Sequence, residues 1–426
     1  MWAGPHPIRA TARKRSVVAQ KSVLSVNRTA ETRSLMWAGP HPIRATARKC
    51  SVVAQEKCSH GARRLHSEDL LRLTSTMLAI LSAVATPALL ADDTSSAPAN
   101  NNKTTLVSQT ATDEFPLVIA HRGASGYLPE HTTEAAAFAH ALGADYIEQD
   151  VVLSKDGTAV VLHDVTLDSV TNVEDVFPGR DRDGKFYAFD FTLAELRQLN
   201  VNERITDKER GRFPNNIGRF GISTLSEHIE LIQGLNHSRG RNAGLYVEIK
   251  KPALHREHEL DPSKEVLRVL REYGYEKSND RVFIQCFEED EVVRIRTELK
   301  CRLPLIQLLS RQPTPEKIAE YGRIVDGLGV ATSTVITGVK DGEPQITDLV
   351  KRAHEHAMNV HVWTFRTDAL PAYAESSDEL LNWLVLDAGV DGIFTDQPDA
   401  VYQWRQKMPG RSARQGPFHL LHSEKK

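Results

Sequence analysis

Glu148 and Asp150 stand two residues apart in the run Asp145–Val152, so on a strand both carboxylates project to one face. Two such groups side by side in an interior repel unless one is protonated or a cation lies between them. A third acid, Glu248, closes the short run Tyr246–Glu248 before Ile249 and Lys250. Three hard oxygen donors with room for water suit Mg2+ or Ca2+ better than zinc, which prefers His and Cys. His121 and His163 each follow another short apolar run, and their near-neutral pKa suits proton transfer in either direction. Arg122 offers planar donors that match a phosphate, and Lys250 adds a point charge. Brought together, these groups would bind an anionic phosphoryl group, neutralise it with a metal and move protons at both ends, which is the chemistry of phosphodiester cleavage. The plainer alternative makes the acids structural ion-pair partners of Arg122 and Lys250.

Stepping from these residues to the segments that must carry them, short apolar runs alternate with helical patterns from Leu117 onward. Strand-like runs cover Leu117–Ala120, Asp145–Val152, Thr158–Leu162, Leu245–Ile249, Val282–Gln285, Leu303–Leu308, Ile324–Gly329, Val360–Thr364 and Gly392–Phe394. The gap Ser154–Gly157 is too short for a crossover helix, so the second and third runs pair as a hairpin. Setting the hairpin strand aside leaves eight strands, most followed by a helix. That is the count for an α/β fold of the TIM-type (β/α)8 barrel, with a doubly wound sheet as the alternative. In a barrel the chemistry sits where strands end, and the acids, histidines, Arg122 and Lys250 all stand at such ends. The stretch 165–224 is too long for an ordinary connection and reads as a small insertion lobe at the barrel mouth.

The chain outside this region divides by charge. Of 53 Lys and Arg and 56 Asp and Glu, residues 1–91 hold 14 basic against 4 acidic, so the remainder is acidic. An acidic body gives no electrostatic reason to bind nucleic acid. MWAGPHPIRATARK at Met1–Lys14 recurs at Met36–Lys49; two copies with few apolar residues make no solenoid, and 1–76 reads as a duplicated, disordered leader. The run Met77–Leu90, ending at Ala91 after a basic flank, has the form of a secretory signal peptide over 77–91 and is short of the roughly 20 apolar residues that span a bilayer. The expectation is a periplasmic or secreted protein with a polar linker at 92–114, a barrel at 115–405, a tail at 406–426, no membrane insertion after cleavage, and a homodimer left open. Four scattered cysteines form no disulfide framework; Cys286 and Cys301 are either bridged or two buried thiols.

HRGASGYLPEHT (His121–Thr132), GADYIEQDVVLSKDG (Gly143–Gly157), VVLHD (Val160–Asp164), YVEIK (Tyr246–Lys250), IQCF (Ile284–Phe287) and GIFTDQPD (Gly392–Asp399) resemble the glycerophosphodiester phosphodiesterase family. The resemblance extends from about Phe115 to Arg405. It is greatest to the periplasmic bacterial branch, whose long insertion is matched by RDGKFYAFDFTLAEL (Arg182–Leu196). It implies hydrolysis of small-molecule glycerophosphodiesters to sn-glycerol 3-phosphate and an alcohol, with a divalent cation in a TIM-type barrel. It further implies His121 and His163 as the acid-base pair, Glu148, Asp150 and Glu248 as metal ligands, and Arg122 and Lys250 on the phosphate. Phe287 and Trp363 would cover the glycerol backbone or else serve as core, and Glu130 would position Arg122. Two alternatives accompany this expectation: a phospholipase D-like enzyme on intact lipids, which would need an apolar mouth, and a surface binding protein that keeps the barrel without its chemistry.

Overall fold

The computed structural model of the chain describes residues 116–204, 212–215 and 217–408. The duplicated leader, the apolar run at 77–91, the linker at 92–114 and the tail beyond 408 lie outside the described residues. The strands are β1 (Leu117–Ala120), β2 (Tyr146–Leu153), β3 (Ala159–Val161), β4 (Gly244–Ile249), β5 (Val282–Cys286), β6 (Leu305–Leu309), β7 (Gly327–Ala331), β8 (Ile336–Lys340), β9 (Glu343–Ile346), β10 (Asn359–Phe365) and β11 (Gly392–Thr395). The helices are α1 (Thr133–Ala141), α2 (Val173–Val176), α3 (Leu193–Leu196), α4 (Leu225–Arg239), α5 (Pro252–Glu257), α6 (Pro262–Glu272), α7 (Glu289–Thr297), α8 (Pro315–Tyr321), α9 (Thr332–Val335), α10 (Leu349–Glu355), α11 (Ser377–Asn382) and α12 (Pro398–Gln406).

The sheet runs β1-β11-β10-β7-β6-β5-β4-β2-β3, and β1 also pairs with β2. That last pairing, Ile119 with Tyr146 and Ala120 with Ile147, decides between the two architectures considered above: it closes eight parallel strands into a barrel and leaves no edge for a doubly wound sheet. β3 lies outside the ring, antiparallel to β2 with Val151 opposite Val161, as the short connection requires. α12, the last helix among the described residues, ends at Gln406. The connection after β7, where the sequence marks no strand-like run, folds into α9 and the antiparallel hairpin β8–β9, with Asp341-Gly342 supplying the positive φ that a tight turn needs (55° and 85°).

Inside the ring, Ile119, Tyr146, Tyr246, Phe283, Ile306 and Phe394 form a separate buried cluster. The Tyr246 ring lies 4.9 Å from Phe283 and 4.8 Å from Phe394 between centroids, and its hydroxyl shares a hydrogen bond of 2.8 Å with His361 Nδ1. This aromatic plug fills the barrel, so polar side chains one step further along the strands stand on a solid floor. The outward faces of the strands carry Val, Ile and Leu under the helices in a larger core. No helix among the described residues is long and apolar enough to cross a membrane.

The insertion has a core of its own. Phe191, Leu196, Leu199, Val201, Phe220 and Ile222 pack with Val152, Val160 and Leu162 of the β2–β3 hairpin. Thr192 and Glu195 form a reciprocal cap on α3, and Thr224 and Glu227 do the same on α4, so the segment ends where the barrel helix begins. Burying each large apolar side chain contributes about 1.5–3 kcal/mol against the entropy cost of ordering the segment.

Glycine is demanded where neighbouring strands press together. A Cβ on Gly327 would lie 2.7 Å from the Asn359 carbonyl oxygen and 2.8 Å from Ile306 Cδ1. We expect Gly327→Ala to destabilise the fold by about 1–3 kcal/mol, read as a lower denaturant midpoint at unchanged m-value; an unaltered midpoint would show that the strands can move apart.

Candidate active site

Parallel register does the first part of the assembly. Asp150 of β2 stands beside Glu248 of β4, and Glu248 beside Gln285 of β5, so the three point the same way at the mouth. Glu148, two residues before Asp150, shares its face. The turn after β1 completes the ring: Arg122 and Gly123 both take positive φ, 57° and 80°. A Cβ at Gly123 would lie 2.9 Å from the Ala135 backbone. The turn directs the Arg122 N–H onto Glu148 Oε2 at 2.8 Å.

Oxygens of Glu148, Asp150 and Glu248 come within 4.8 Å of one another, and all three residues are buried. Their remaining contacts are few. Gln285 Nε2 donates to Glu148 Oε1 at 2.8 Å, His131 Nε2–H to Asp150 Oδ2 at 2.7 Å, and Lys250 Nζ lies 2.7 Å from Glu248 Oε1. Among the described residues Asp150 Oδ1 is buried with no hydrogen-bond partner while its neighbouring acids are ionised, and only a proton on Glu248 would give it a donor. Burial and the neighbouring acids push Glu148 well above the usual carboxylate range, and burial lifts Glu248 to about 8. Burial pushes Asp150 up as well, but Lys250 and His131 outweigh it and hold it low. A buried carboxylate oxygen without a donor beside two acids that resist ionising is the donor set a hard divalent cation fits.

Each expected histidine is tied at Nδ1 to an aspartate. His121 Nδ1–H donates to Asp396 Oδ1 and His163 Nδ1–H to Asp164 Oδ1, both at 2.6 Å. A carboxylate only accepts, so Nδ1 carries the proton and Nε2 is the atom left for exchange. His121 Nε2 lies 4.0 Å from Glu148 Oε2. Burial, reinforced by Arg122, pushes His121 down to about 4, and burial lowers His163. Burial raises Asp396 and Asp164, but their imidazole and arginine partners prevail and keep both ionised.

His121, Arg122, Glu148, Asp150, His163, Glu248, Phe287 and Trp363 all line one cavity of about 430 Å³. Its far wall is apolar, with Leu308, Ala331, Tyr373 and Phe394, and the Phe287 and Trp363 rings meet edge to face at 5.8 Å. Lys250 is outside that lining; it sits against Glu248, in part the structural pairing weighed above. Arg122 Nη1 donates to Glu130 at 2.9 Å, so Glu130 does position it. Cys286 and Cys301 are free thiols. The residues unassigned from sequence are the buffers of this site: Asp164, Asp396, His131 and Gln285, and the arginines Arg204, Arg212 and Arg366. Asp396 directly follows β11 and Asp164 lies three residues beyond β3, the one signal that marked them; the lobe arginines sit in a segment without periodicity and carried none.

A sequence model of the glycerophosphoryl diester phosphodiesterase family matches residues 121–400. A glycerophosphodiester phosphodiesterase of Haemophilus influenzae is 38% identical over 319 residues, covering 66% of this chain and 88% of its own. That of Treponema pallidum is 33% identical, covering 66% and 90%. Among solved structures, a protein of Silicibacter pomeroyi DSS-3 superposes with a TM-score of 0.53 at 25% identity over 68% of this chain and 93% of its own. An Oleispira antarctica phosphodiesterase, solved in complex with the product sn-glycerol-3-phosphate, superposes with a TM-score of 0.50 at 22% identity over 69% and 98%, a likeness of fold.

The acid cluster sets a pH signature. Freed of cations by chelation, the folded chain keeps a proton on Glu248 up to about pH 8, whereas the unfolded chain has released it above 4.5. Folding takes up a proton in that window, so stability falls as pH rises through it. The depressed imidazoles act in the opposite sense only below 6.5, which leaves the fall distinct between pH 6.5 and about 8. We expect the denaturant midpoint of chelated protein to decline over that range, the decline to shrink in Glu248→Gln, and Ca2+ to remove it; a flat profile for the chelated protein would contradict the cluster.

Proposed function

The chain belongs to the glycerophosphoryl diester phosphodiesterase family and is an enzyme of that activity, and from that premise we propose that it hydrolyses soluble glycerophosphodiesters by acid-base catalysis with two imidazoles over a carboxylate-held cation. The observation that carries this reading is the pair of histidines with Nδ1–H bound to aspartate at 2.6 Å above three buried acids. Glu148, Asp150 and Glu248 would hold Ca2+ or Mg2+, which when bound offsets negative charge on the phosphoryl oxygens. Arg122, whose Nε is buried without a hydrogen-bond partner among the described residues and lies 3.8 Å from Asp150 Oδ2, adds planar donors to the same group. One imidazole Nε2 takes the proton of the attacking oxygen as its bond to phosphorus forms. The other, entering the step as the imidazolium with a proton on Nε2 as well as the aspartate-bound Nδ1, gives the Nε2 proton to the departing alkoxide as the phosphorus–oxygen bond breaks. Lys250 contributes to this field through Glu248 rather than by lining the cavity.

The apolar wall would receive the carbon face of the glycerol unit. Trp363 carries a buried indole N–H without a partner among the described residues, a donor suited to a substrate hydroxyl. The product would then be sn-glycerol 3-phosphate, the molecule held by the Oleispira antarctica phosphodiesterase. The apolar run at Met77–Ala91 supports export and a place in the periplasmic branch of the family.

We expect His121→Ala and His163→Ala each to lower kcat by about 10²–10⁴-fold at unchanged melting temperature, measured as glycerol 3-phosphate release; undiminished release in a folded variant would overturn the roles. Chelator should abolish turnover, and Ca2+ or Mg2+ should restore it. Phospholipid vesicles offered beside soluble diesters separate this reading from a lipid-cleaving one, since faster release from vesicles would favour the latter. Amino-terminal sequencing of exported protein should begin near Asp92, and a start upstream of Met77 would refute the signal assignment.

A further inference from the structure

The lobe sends two arginines to the site, Arg204 and Arg212, on either side of 205–211. Arg204 Nη1 donates to Asp164 Oδ2 at 2.6 Å, while the other oxygen of Asp164 accepts His163 Nδ1–H at 2.6 Å. Arg212 Nη2 donates to Asp396 Oδ2 at 2.7 Å, while the other oxygen of Asp396 accepts His121 Nδ1–H at 2.6 Å. The same arrangement of arginine, aspartate and imidazole thus occurs twice, once on each histidine. The histidine and aspartate come from the barrel or its hairpin, and the arginine comes from the lobe.

We propose that Arg204 and Arg212 are positioning residues through which the insertion lobe fixes the plane and tautomer of both imidazoles, so that full turnover requires the lobe to be seated on the mouth. This rests on the two-histidine reading above. A carboxylate bound by one oxygen can still rotate about its last torsion, which is broad for Asp. A guanidinium on the second oxygen fixes that plane, and charge-assisted hydrogen bonds are the strong class. The arginines are themselves braced. Arg212 bridges to Asp368 at 2.8 Å and to the Ser125 carbonyl at 3.1 Å, and its side chain is only 7% exposed. Arg204 Nε donates to Glu130 at 2.9 Å, and Glu130 also accepts from Arg122. Arg204 therefore supports the phosphate-facing arginine as well as one imidazole. On Asp396 the barrel adds Arg366, whose Nε donates at 2.7 Å, whereas on Asp164 the added donor is Ser169 Oγ of the lobe itself at 3.0 Å, so His163 depends on the lobe more than His121 does. Both lobe arginines and both imidazoles face a second cavity of about 280 Å³, so their tips share one space at the mouth. A buried ion pair is by itself weak evidence of stabilisation, which makes orientation the better account of these contacts.

The test uses the full chain with saturating Ca2+ and compares Arg204→Ala, Arg204→Gln, Arg212→Ala and Arg212→Gln by glycerol 3-phosphate release and melting temperature. We expect kcat to fall about tenfold to a hundredfold. KM should be unchanged in the Arg212 variants and raised in the Arg204 variants through Glu130 and Arg122. Adding Arg204→Ala to Asp164→Ala should cost no further kcat, because the arginine acts through that aspartate. The proposal is overturned if kcat is unchanged, if the two losses multiply, or if all four variants fail to fold, each of which would leave the arginines as fastenings of the lobe. Retained turnover in His121→Ala or His163→Ala would instead remove the reading beneath it, whereas dead histidine variants beside fully active arginine variants would remove this inference alone.

Discussion

Three carboxylates forced into one buried place are the constraint around which the rest of this protein is arranged. Parallel register between β2 and β4 puts Asp150 beside Glu248, and strand periodicity brings Glu148 to the same face. Nothing local relieves their mutual repulsion. The chain answers with the Arg122 N–H on Glu148, Gln285 on its other oxygen, His131 on Asp150 and Lys250 on Glu248. These contacts reduce the imbalance without removing it, as the buried Asp150 oxygen without a partner among the described residues shows. The site is therefore built to be finished by a positive charge.

That imbalance has to be held in a rigid frame, because carboxylates free to separate would simply move apart. The aromatic plug of Tyr246, Phe283 and Phe394 gives the acids a floor that cannot collapse, since close-packed interiors transmit strain rather than absorb it. Barrel closure by β1 and β2 supplies the walls. The turn after β1 then places His121 and Arg122 over the same opening at which the β3 end delivers His163.

The lobe adds the opposite charge. Its own apolar core keeps it folded on the β2–β3 hairpin, and its polar edge brings arginines to aspartates that hold the imidazoles. Two groups of like-charged side chains, acids from the barrel and guanidinium groups from lobe and barrel, thus meet around the pair of histidines. An electrostatic site of this kind acts by being organised before substrate arrives.

Much of this was legible in the residues alone. Apolar runs separated by helical patterns announced eight barrel strands and an outlying hairpin, because burial on both faces leaves parallel strands continuously apolar. Glu148, Asp150, Glu248, His121 and His163 could be singled out, because strand ends are where such a fold keeps its chemistry. The β8–β9 hairpin stayed hidden, since exposed short strands bury too little to leave a pattern. Lys250 was legible as a cation at a strand end, but its pairing with Glu248 two residues away shows only in the structure. Asp164 and Asp396 were visible as residues but not as partners of imidazoles, and Arg204 and Arg212 were not visible at all. The physical reason is range. Periodicity and strand ends report on neighbours along the chain, while the contact of Arg212 with Asp396 joins groups 184 residues apart, and only closure of the barrel under its lobe decides which charges meet.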